Sequence, residues 1–551
     1  MTAVQKGFLY FHTLRHLRPI QIYGRIAFHL RRPSPDLRPP PALRALKKSW
    51  VTPAARRASI SAPETFFFLN QEGFLPEIGW DGPQRNKLWR YNQHYFDDLN
   101  AEGQEERGNW HRALLTHWVE TNPPGCGVGW DPYPTSLRIV NWVKWALSGH
   151  PLPEICIQSL AVQARWLTRR LEWHLLGNHL FANAKALVFA GLFFEGAEAE
   201  QWLQTGLSIL EQEVPEQILP DGGQFERTPM YHALALEDML DLMNLLKCAP
   251  RSSLRSTGER FFSSLMPVVQ KMRRWLMVMS HPDGKISFFN DAAFGVAPEN
   301  TALEAYAQRC KLDPVPPLSP VERLPDSGYV RLQTEDAVLI FDAAPVGPDY
   351  LPGHAHADTL SFELSVFGER VIVNSGTSEY GMGMERHRQR GTAAHNTVTI
   401  DGQDSSEIWG GFRVARRARI LRTEISCGKP LSVSACHDGY KRLYRMATHC
   451  RQIELDAGRL SIKDRLAGAV GEGAIAHFHV HPSLHSIDKQ RQEEFSFQAV
   501  AGTRFRLTST PGTLSAKSST WHPAFGKAIL NTRVDVSFSG LSSNVTISWK
   551  A

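Results

Sequence analysis

The stretch Gly353-His354-Ala355-His356-Ala357-Asp358-Thr359-Leu360-Ser361-Phe362-Glu363-Leu364-Ser365-Val366-Phe367 sets two histidines at the mouth of a run whose apolar residues alternate. Alternation with period two marks a half-buried strand, and residues i and i+2 of a strand share a face. An extended backbone here projects His354 and His356 together. Imidazoles held in this way bind metals or move protons. Hydrogen bonding by buried histidines is the competing reading, and the surroundings decide.

Outward from this stretch the periodicity divides the chain. Downstream and just upstream it stays near two, over 329–332, 337–341, 360–366, 371–373, 397–400, 452–455, 459–462, 474–479, 505–507, 533–538 and 545–549. Short alternating or β-branched runs joined by Gly, Asp and Ser turns read as stacked antiparallel sheets. Upstream, apolar residues recur at i, i+3, i+4 and i+7 over 109–120, 136–148, 156–173, 179–194, 199–214, 231–246 and 259–280, with no strands expected between them. A proline cluster at 314–325 separates the two regimes. The expected architecture is multidomain, an all-α domain followed by an all-β domain, with the histidine motif facing a cleft between them.

Composition narrows the class. The chain has 551 residues, 42% hydrophobic and 21% charged, as in an ordinary globular protein. The net charge of +6 is mild for this length: it accords with an anionic partner and gives no reason to expect nucleic acid. Seven dispersed cysteines without a Cys-x-x-Cys read as reduced thiols. No apolar run is long enough for a transmembrane helix. The first 32 residues are basic and interleaved with Phe, Leu, Tyr and Ile, and a proline-rich connector follows at 33–41. They lack the apolar core and cleavage site of a signal peptide. Two readings stand: an amphipathic helix packed on the body, and a peripheral membrane contact. The default compartment is the cytoplasm, with the cell envelope or periplasm as the alternative. Oligomeric state is not legible.

Four segments carry chemistry. Trp130-Asp131-Pro132-Tyr133-Pro134-Thr135-Ser136-Leu137-Arg138 opens a helix, and Arg138 and Asn141 are placed to line a concave face. Gly177-Asn178-His179-Leu180 starts another; an Asn cap accounts for Asn178 but not for His179. Asp221 to His232 is a polar loop ending in Tyr231-His232. The fourth runs from His354 through Asn374 and Thr392-Ala393-Ala394-His395-Asn396 to Trp409-Gly410-Gly411. His356 and His395 each border a strand-like run, so they either share a metal or hydrogen-bond. The chain shows no strong carboxylate pair at a cleft, no Gly-x-Ser-x-Gly elbow, no P-loop and no dinucleotide fingerprint. Tyr, His, Asn and Arg suit a different reaction: proton abstraction beside a neutralised carboxylate, followed by elimination.

Asn178-His179, Phe225-Glu226-Arg227-Thr228-Pro229-Met230-Tyr231-His232, His354-Ala355-His356-Ala357-Asp358 and Thr392-Ala393-Ala394-His395-Asn396-Thr397 together resemble the heparinase II/III-like family of polysaccharide lyases, whose pattern alginate lyases share. The resemblance implies a basic segment at 1–50, an incomplete α/α toroid at 51–314 and an antiparallel β-sandwich at 315–551. By the same resemblance Asn178 and His179 neutralise a uronate carboxylate. Tyr231 is the general acid, and in a syn elimination also the base; His354 is the base or assists it. Arg138, Tyr133, Glu226, His232, Tyr380 and Trp409 are the expected substrate contacts. His356, Asn374 and His395 match the ligands of a structural zinc or calcium, with Asn374 where relatives often carry Asp. No organic cofactor is expected. The implied partner is an acidic polysaccharide, a bacterial exopolysaccharide with uronate units more than heparin. The alternatives are a non-catalytic glycan-binding or assembly factor and a metal-dependent hydrolase.

Overall fold

The computed structural model describes residues 3–45, 50–443, 446–468, 473–487 and 494–550. Its helical half is a double-layered arc. Helices Pro132–Leu147, Gly177–Phe193 and Pro229–Cys248 form the inner layer, and Gly108–Thr121, Glu154–Thr168, Ala197–Gln217 and Arg251–Val278 the outer one. Inner helices are buried nearly all round because both faces are covered; in Gly177–Phe193 only Asn178 and His179 escape full burial. Two glycines set the layer spacing. A Cβ on Gly191 would lie 2.6 Å from the Leu203 nitrogen, and one on Gly206 2.6 Å from the Ala184 carbonyl.

The last of these helices, Asn300–Arg309, precedes the first sandwich strand, Val321–Leu324. Among the described residues the sandwich has two antiparallel sheets. The first runs Thr513–Trp521, Ile529–Phe538, Ala474–Val480, Glu369–Ile372, Phe362–Val366, Ala337–Asp342, Tyr329–Gln333, Val321–Leu324, with Val398–Ile400 also paired to Ala474–Val480. The second runs Ile420–Ser426, Leu431–His437, Thr448–Asp456, Arg459–Ala467, Ser542–Lys550, Arg504–Ser509, Glu494–Gln498, His485–Ser486. Burial follows position. Thr448–Asp456 alternates between buried and partly exposed, as a sheet with one wet face does. Phe362–Val366 and Ala337–Asp342 are buried throughout. Their outer face packs on the Arg251–Val278 helix through Trp275, Val278, Tyr329, Val338 and Ile340. The first sheet is therefore the middle layer of the molecule, and the loop 353–361 enters it from the helical side.

Three expectations need correction. The helical region holds a small sheet, Ile60–Ala62, Thr65–Phe68 and Gln71–Phe74. Its second turn is Leu69-Asn70, both at positive φ (54° and 58°), the backbone of a two-residue hairpin built without the glycine that would have signalled it. The helix read over 156–173 stops at Thr168, because Asn183 clamps the following turn through the Glu172 N–H (2.8 Å) and carboxylate (3.1 Å). Cys436 and Cys450 stand opposite each other on paired strands and form a disulfide; strand register, invisible in the spacing, joins them.

Arg451 ties the two sheets. It is fully buried, pairs with Asp464 (2.8 and 2.9 Å) on its own sheet, and donates to the carbonyls of Leu360 (2.9 Å) and Asn396 across the core. Arg451→Met strands the Asp464 charge in the interior, so denaturant unfolding is expected to show a loss of about 3–5 kcal/mol; a loss below about 1 kcal/mol contradicts this role.

Candidate active site

The site is built where the inner helices meet the middle sheet. Thr228 caps the Pro229–Cys248 helix, its Oγ1 accepting the Tyr231 N–H at 3.0 Å, and Pro229 occupies the first turn. This fixes the turn from which Tyr231 projects. The Tyr231 and Tyr380 hydroxyls are 3.0 Å apart. The His354 ring lies over that of Tyr231, centroids 4.0 Å apart, and 5.7 Å from that of Tyr380. Phe412 borders both His354 and Tyr380. Burial, with Tyr380 close by, pushes the Tyr231 hydroxyl well above the usual phenol range, so it is a proton carrier at neutral pH.

Asp291 holds the histidines. Its carboxylate is fully buried and accepts from His354 Nδ1 (2.8 Å), His356 Nε2 (2.8 Å), Thr377 Oγ1 (3.2 Å) and both Nη atoms of Arg386. Burial alone would raise this carboxyl; Arg386 and the two imidazoles hold it well below the usual range instead. An ionised carboxylate only accepts, so His354 donates through Nδ1, the tautomer that in a neutral ring carries its lone pair on Nε2. Its side chain retains 15% exposure. Glu226 lies behind it: Oε2 is 3.8 Å from His354 Nε2 and has no hydrogen-bond partner among the described residues, and burial pushes this carboxyl up.

Asn178 and His179 open the Gly177–Phe193 helix, and both are partly exposed. The Asn178 amide is half-buried and makes no hydrogen bond among the described residues. His179 Nδ1 meets Glu172 Oε1 at 3.2 Å, and its ring packs 4.5 Å from that of Tyr133. Burial opposes charge on His179, but Glu172 outweighs it and raises the imidazole above its ordinary value. Tyr231, Leu234, Ala235 and Asp238 are partly exposed, at the i, i+3, i+4, i+7 spacing of one helix face. Asp238, 2.7 Å from Lys185, lies on that face, and Asp97, 3.8 Å from Arg56, is likewise partly exposed.

Non-glycine residues at positive φ flank the site: Leu176 (60°), Arg227 (60°), Asn290 (57°) and Leu360 (63°) sit within two residues of Asn178, Glu226, Asp291 and Asp358. Each costs on the order of 1–3 kcal/mol and persists where the surroundings over-determine it. At Arg227 they do: its carbonyl accepts from Tyr329 (2.7 Å) and Asn290 (3.0 Å).

Four expected residues have other roles. Arg138 is fully buried, donates to the Gly129 carbonyl (2.8 Å) and Gln163 (3.0 Å), and stacks on Trp118; it braces the helical core and reaches no substrate. His232 is fully buried between the Gln224 N–H and the Met272 carbonyl. Trp409 is taken by the N-terminal helix, donating to Thr13 Oγ1 (3.0 Å) with Tyr10 against its ring. Asn374 turns its oxygen to the Asn396 N–H (3.1 Å) and amide (3.2 Å), away from His356 and His395. Those two histidines are 3.1 Å apart, Nδ1 to Nε2, and the group that closes on them is Asp358: one ligand atom from each lies within 4.8 Å of the others, all buried.

Sequence reasoning missed Asp291, Arg386 and Glu172. Asp291 follows Phe288-Phe289-Asn290 and looks like the polar start of a loop. Arg386 hides in Glu385-Arg386-His387-Arg388-Gln389-Arg390, which has the composition of a solvated face, yet it is fully buried.

The sequence profile of the heparinase II/III N-terminus matches residues 148–313, and that of the heparinase II/III-like C-terminal region matches 316–550. The chain is 29% identical over 252 residues to a heparin-sulfate lyase of Pedobacter heparinus, covering 41% of this chain and 36% of that protein. It is 24% identical over 354 residues to a heparin-sulfate lyase of Bacteroides thetaiotaomicron, covering 54% and 48%. The matched region thus spans between a third and a half of these relatives. Among solved structures, a heparinase III superposes with a TM-score of 0.65 at 18% identity, covering 84% of this chain and 76% of that one. The heparan sulfate lyase HepC from Pedobacter heparinus superposes at 0.58 and 20%, covering 89% and 82%. The fold is that of these proteins, a toroid followed by a sandwich, and two adjoining profiles of one family cover nearly all of 148–550: the chain belongs to the heparinase II/III-like family.

Proposed function

We propose that this protein is a polysaccharide lyase that cleaves a uronic-acid-containing glycan by β-elimination. The observation that carries this reading is the tyrosine hydroxyl pair, Tyr231 and Tyr380, 3.0 Å apart beside a His354 whose Nδ1 is committed to Asp291. Elimination needs three things: the carboxylate beside the reacting C–H must be neutralised, a base must take that proton, and an acid must protonate the departing glycosidic oxygen. Asn178 and the His179 imidazolium meet the carboxylate. The His354 Nε2 lone pair takes the proton. The Tyr231 hydroxyl gives its proton to the leaving oxygen as the carbon–oxygen bond breaks and the ring double bond forms, and Tyr380 hydrogen-bonds to Tyr231. Asp291 stabilises the imidazolium formed at His354, as a buried carboxylate does for a catalytic histidine.

The substrate we infer is an unsulfated acidic polymer of bacterial origin. Asp97 and Asp238 are partly exposed and already occupy Arg56 and Lys185, so these cations are not free to meet a sulfate ester, and the carboxylate oxygens can accept from sugar hydroxyls.

His356, His395 and Asp358 fit a zinc ion better than the expected set with Asn374. Two imidazole nitrogens on one tetrahedral zinc stand about 3.3 Å apart; His356 Nδ1 and His395 Nε2 stand at 3.1 Å, with a carboxylate oxygen of Asp358 close to both. Two imidazoles also favour zinc over calcium. Bound there, the ion would supply a structural cross-link beneath Asp291 and no proton.

Three outcomes follow. Incubation with bacterial glucuronans, alginate and heparan is expected to raise the ultraviolet absorbance of a 4,5-unsaturated uronate on an unsulfated polymer, and Tyr231→Phe is expected to abolish it. Saturated products, or unchanged turnover in Tyr231→Phe, contradict the reading. Because Glu172 raises His179, kcat/KM is expected to fall as pH climbs through that imidazole, and Glu172→Gln to move this basic limb to lower pH. For the metal, zinc added to chelator-treated protein is expected to stabilise it by about 2.7 kcal/mol at a hundredfold excess over Kd, and His395→Ala to remove the response. An unchanged melting temperature in the parent protein contradicts the site.

A further inference from the structure

The feature least explained by the cleft is a helical hairpin far along the surface, Ala3–Leu14 and Pro19–Leu30. One face of it is clamped to the body. Gln21 is buried and donates to the Tyr350 carbonyl (3.2 Å), Gly24 lies against the His174 backbone, Phe28 packs 4.3 Å from the His174 ring under Arg170, and Thr13 accepts from Trp409. The hairpin thereby bridges the toroid and the sandwich.

Its other face is apolar and bare. Phe8 and Phe11 are each 62% exposed, Ile26 58% and Leu30 77%, with Val4, Leu14, Ile22 and Tyr23 also exposed. Spacings of 4, 8, 11 on the first helix and 22, 26, 30 on the second make these continuous stripes. Nothing in the first 35 residues is acidic. Of the six Lys and Arg there, Arg18 pairs with Glu216 (2.5 Å). Lys6, Arg15, Arg25, Arg31 and Arg32 are exposed and have no carboxylate partner among the described residues. An apolar stripe flanked by unpaired cations is the pattern of a helix lying in a membrane interface.

We propose that this hairpin docks the protein on an anionic lipid bilayer, with the apolar stripes at the headgroup–acyl boundary and the five cations against lipid phosphates. Charge argues for a bilayer over a second copy of the chain: a symmetric contact through this face would oppose cation to cation with no acid to separate them. The apolar stripes argue against nucleic acid, which offers no matching surface. The hairpin also packs on Trp409, whose strand pair leads to Phe412 beside His354 and Tyr380, so the docked face lies next to the cleft. No helix of the described residues is long and apolar enough to cross a membrane, so the contact is peripheral.

Vesicle flotation with the full chain tests this. The protein is expected to float with phosphatidylcholine vesicles containing phosphatidylglycerol and to stay in solution with phosphatidylcholine alone, and raised salt is expected to release it. Arg15→Gln/Arg25→Gln/Arg31→Gln is expected to weaken partitioning on the order of a hundredfold, and Phe8→Ser/Phe11→Ser/Ile26→Ser to abolish it. The altered side chains are exposed, so near-ultraviolet circular dichroism should match the parent. Absence of flotation with anionic vesicles overturns the proposal, as does equal flotation of parent and both variants. A dimer in sedimentation velocity that the serine variant dissolves, without vesicle binding, assigns the face to a second copy and overturns it too.

Discussion

Asp291 organises the centre of this protein, since two imidazoles, a threonine and an arginine all converge on one buried carboxylate. A buried charge survives only when it is paired and hydrogen-bonded, and the partners here are drawn from three segments. Arg386 comes from a helix after residue 383, His354 and His356 from the loop leading into the middle sheet, and Thr377 from the loop beyond it. Neutralising Asp291 would release all of them. The same interaction sets the chemistry: because the carboxylate stays ionised, it selects the tautomer of His354 whose lone pair is on Nε2.

Asp291 acts at a place the architecture reserves. The middle sheet is covered by helices on one face and by the second sheet on the other, so its entering loops are buried by three layers. That burial raises the Tyr231 hydroxyl and the Glu226 carboxyl and lowers His356 to about 4. Tyr231, Leu234, Ala235 and Asp238 on one helix face, and the packed pair Tyr133 and His179, stay partly exposed.

The division into helices and then strands was legible because hydrophobic period is a local property, and it changes once, near the 314–325 prolines. The Leu69-Asn70 hairpin was not, since its two left-handed residues are not the ones whose chemistry announces such a turn. Of the site, the residues on quoted motifs could be named, and Tyr231, Tyr380, His354, His179 and Tyr133 are brought to one cleft. Arg138 and His232 could not be sorted from them, because a buried arginine bracing carbonyls and a buried histidine between backbone groups have the same letters as ligands. Asp291 and Arg386 are far apart in sequence and each sits in an ordinary context; only the tertiary fold makes them partners. Asn374 and Asp358 were exchanged for the same reason: which oxygen faces His356 and His395 is decided by the Asn396 hydrogen bonds.

The most direct test of this account is the tautomer of His354 in solution, read from the ¹⁵N shifts of its ring in histidine-labelled protein and assigned by its loss in His354→Gln. With Asp291 ionised, the account predicts a neutral ring protonated on Nδ1 with a bare Nε2 at neutral pH, and loss of that preference in Asp291→Asn. A ring protonated on Nε2 in the parent protein, or the same tautomer with and without the Asp291 charge, would contradict it.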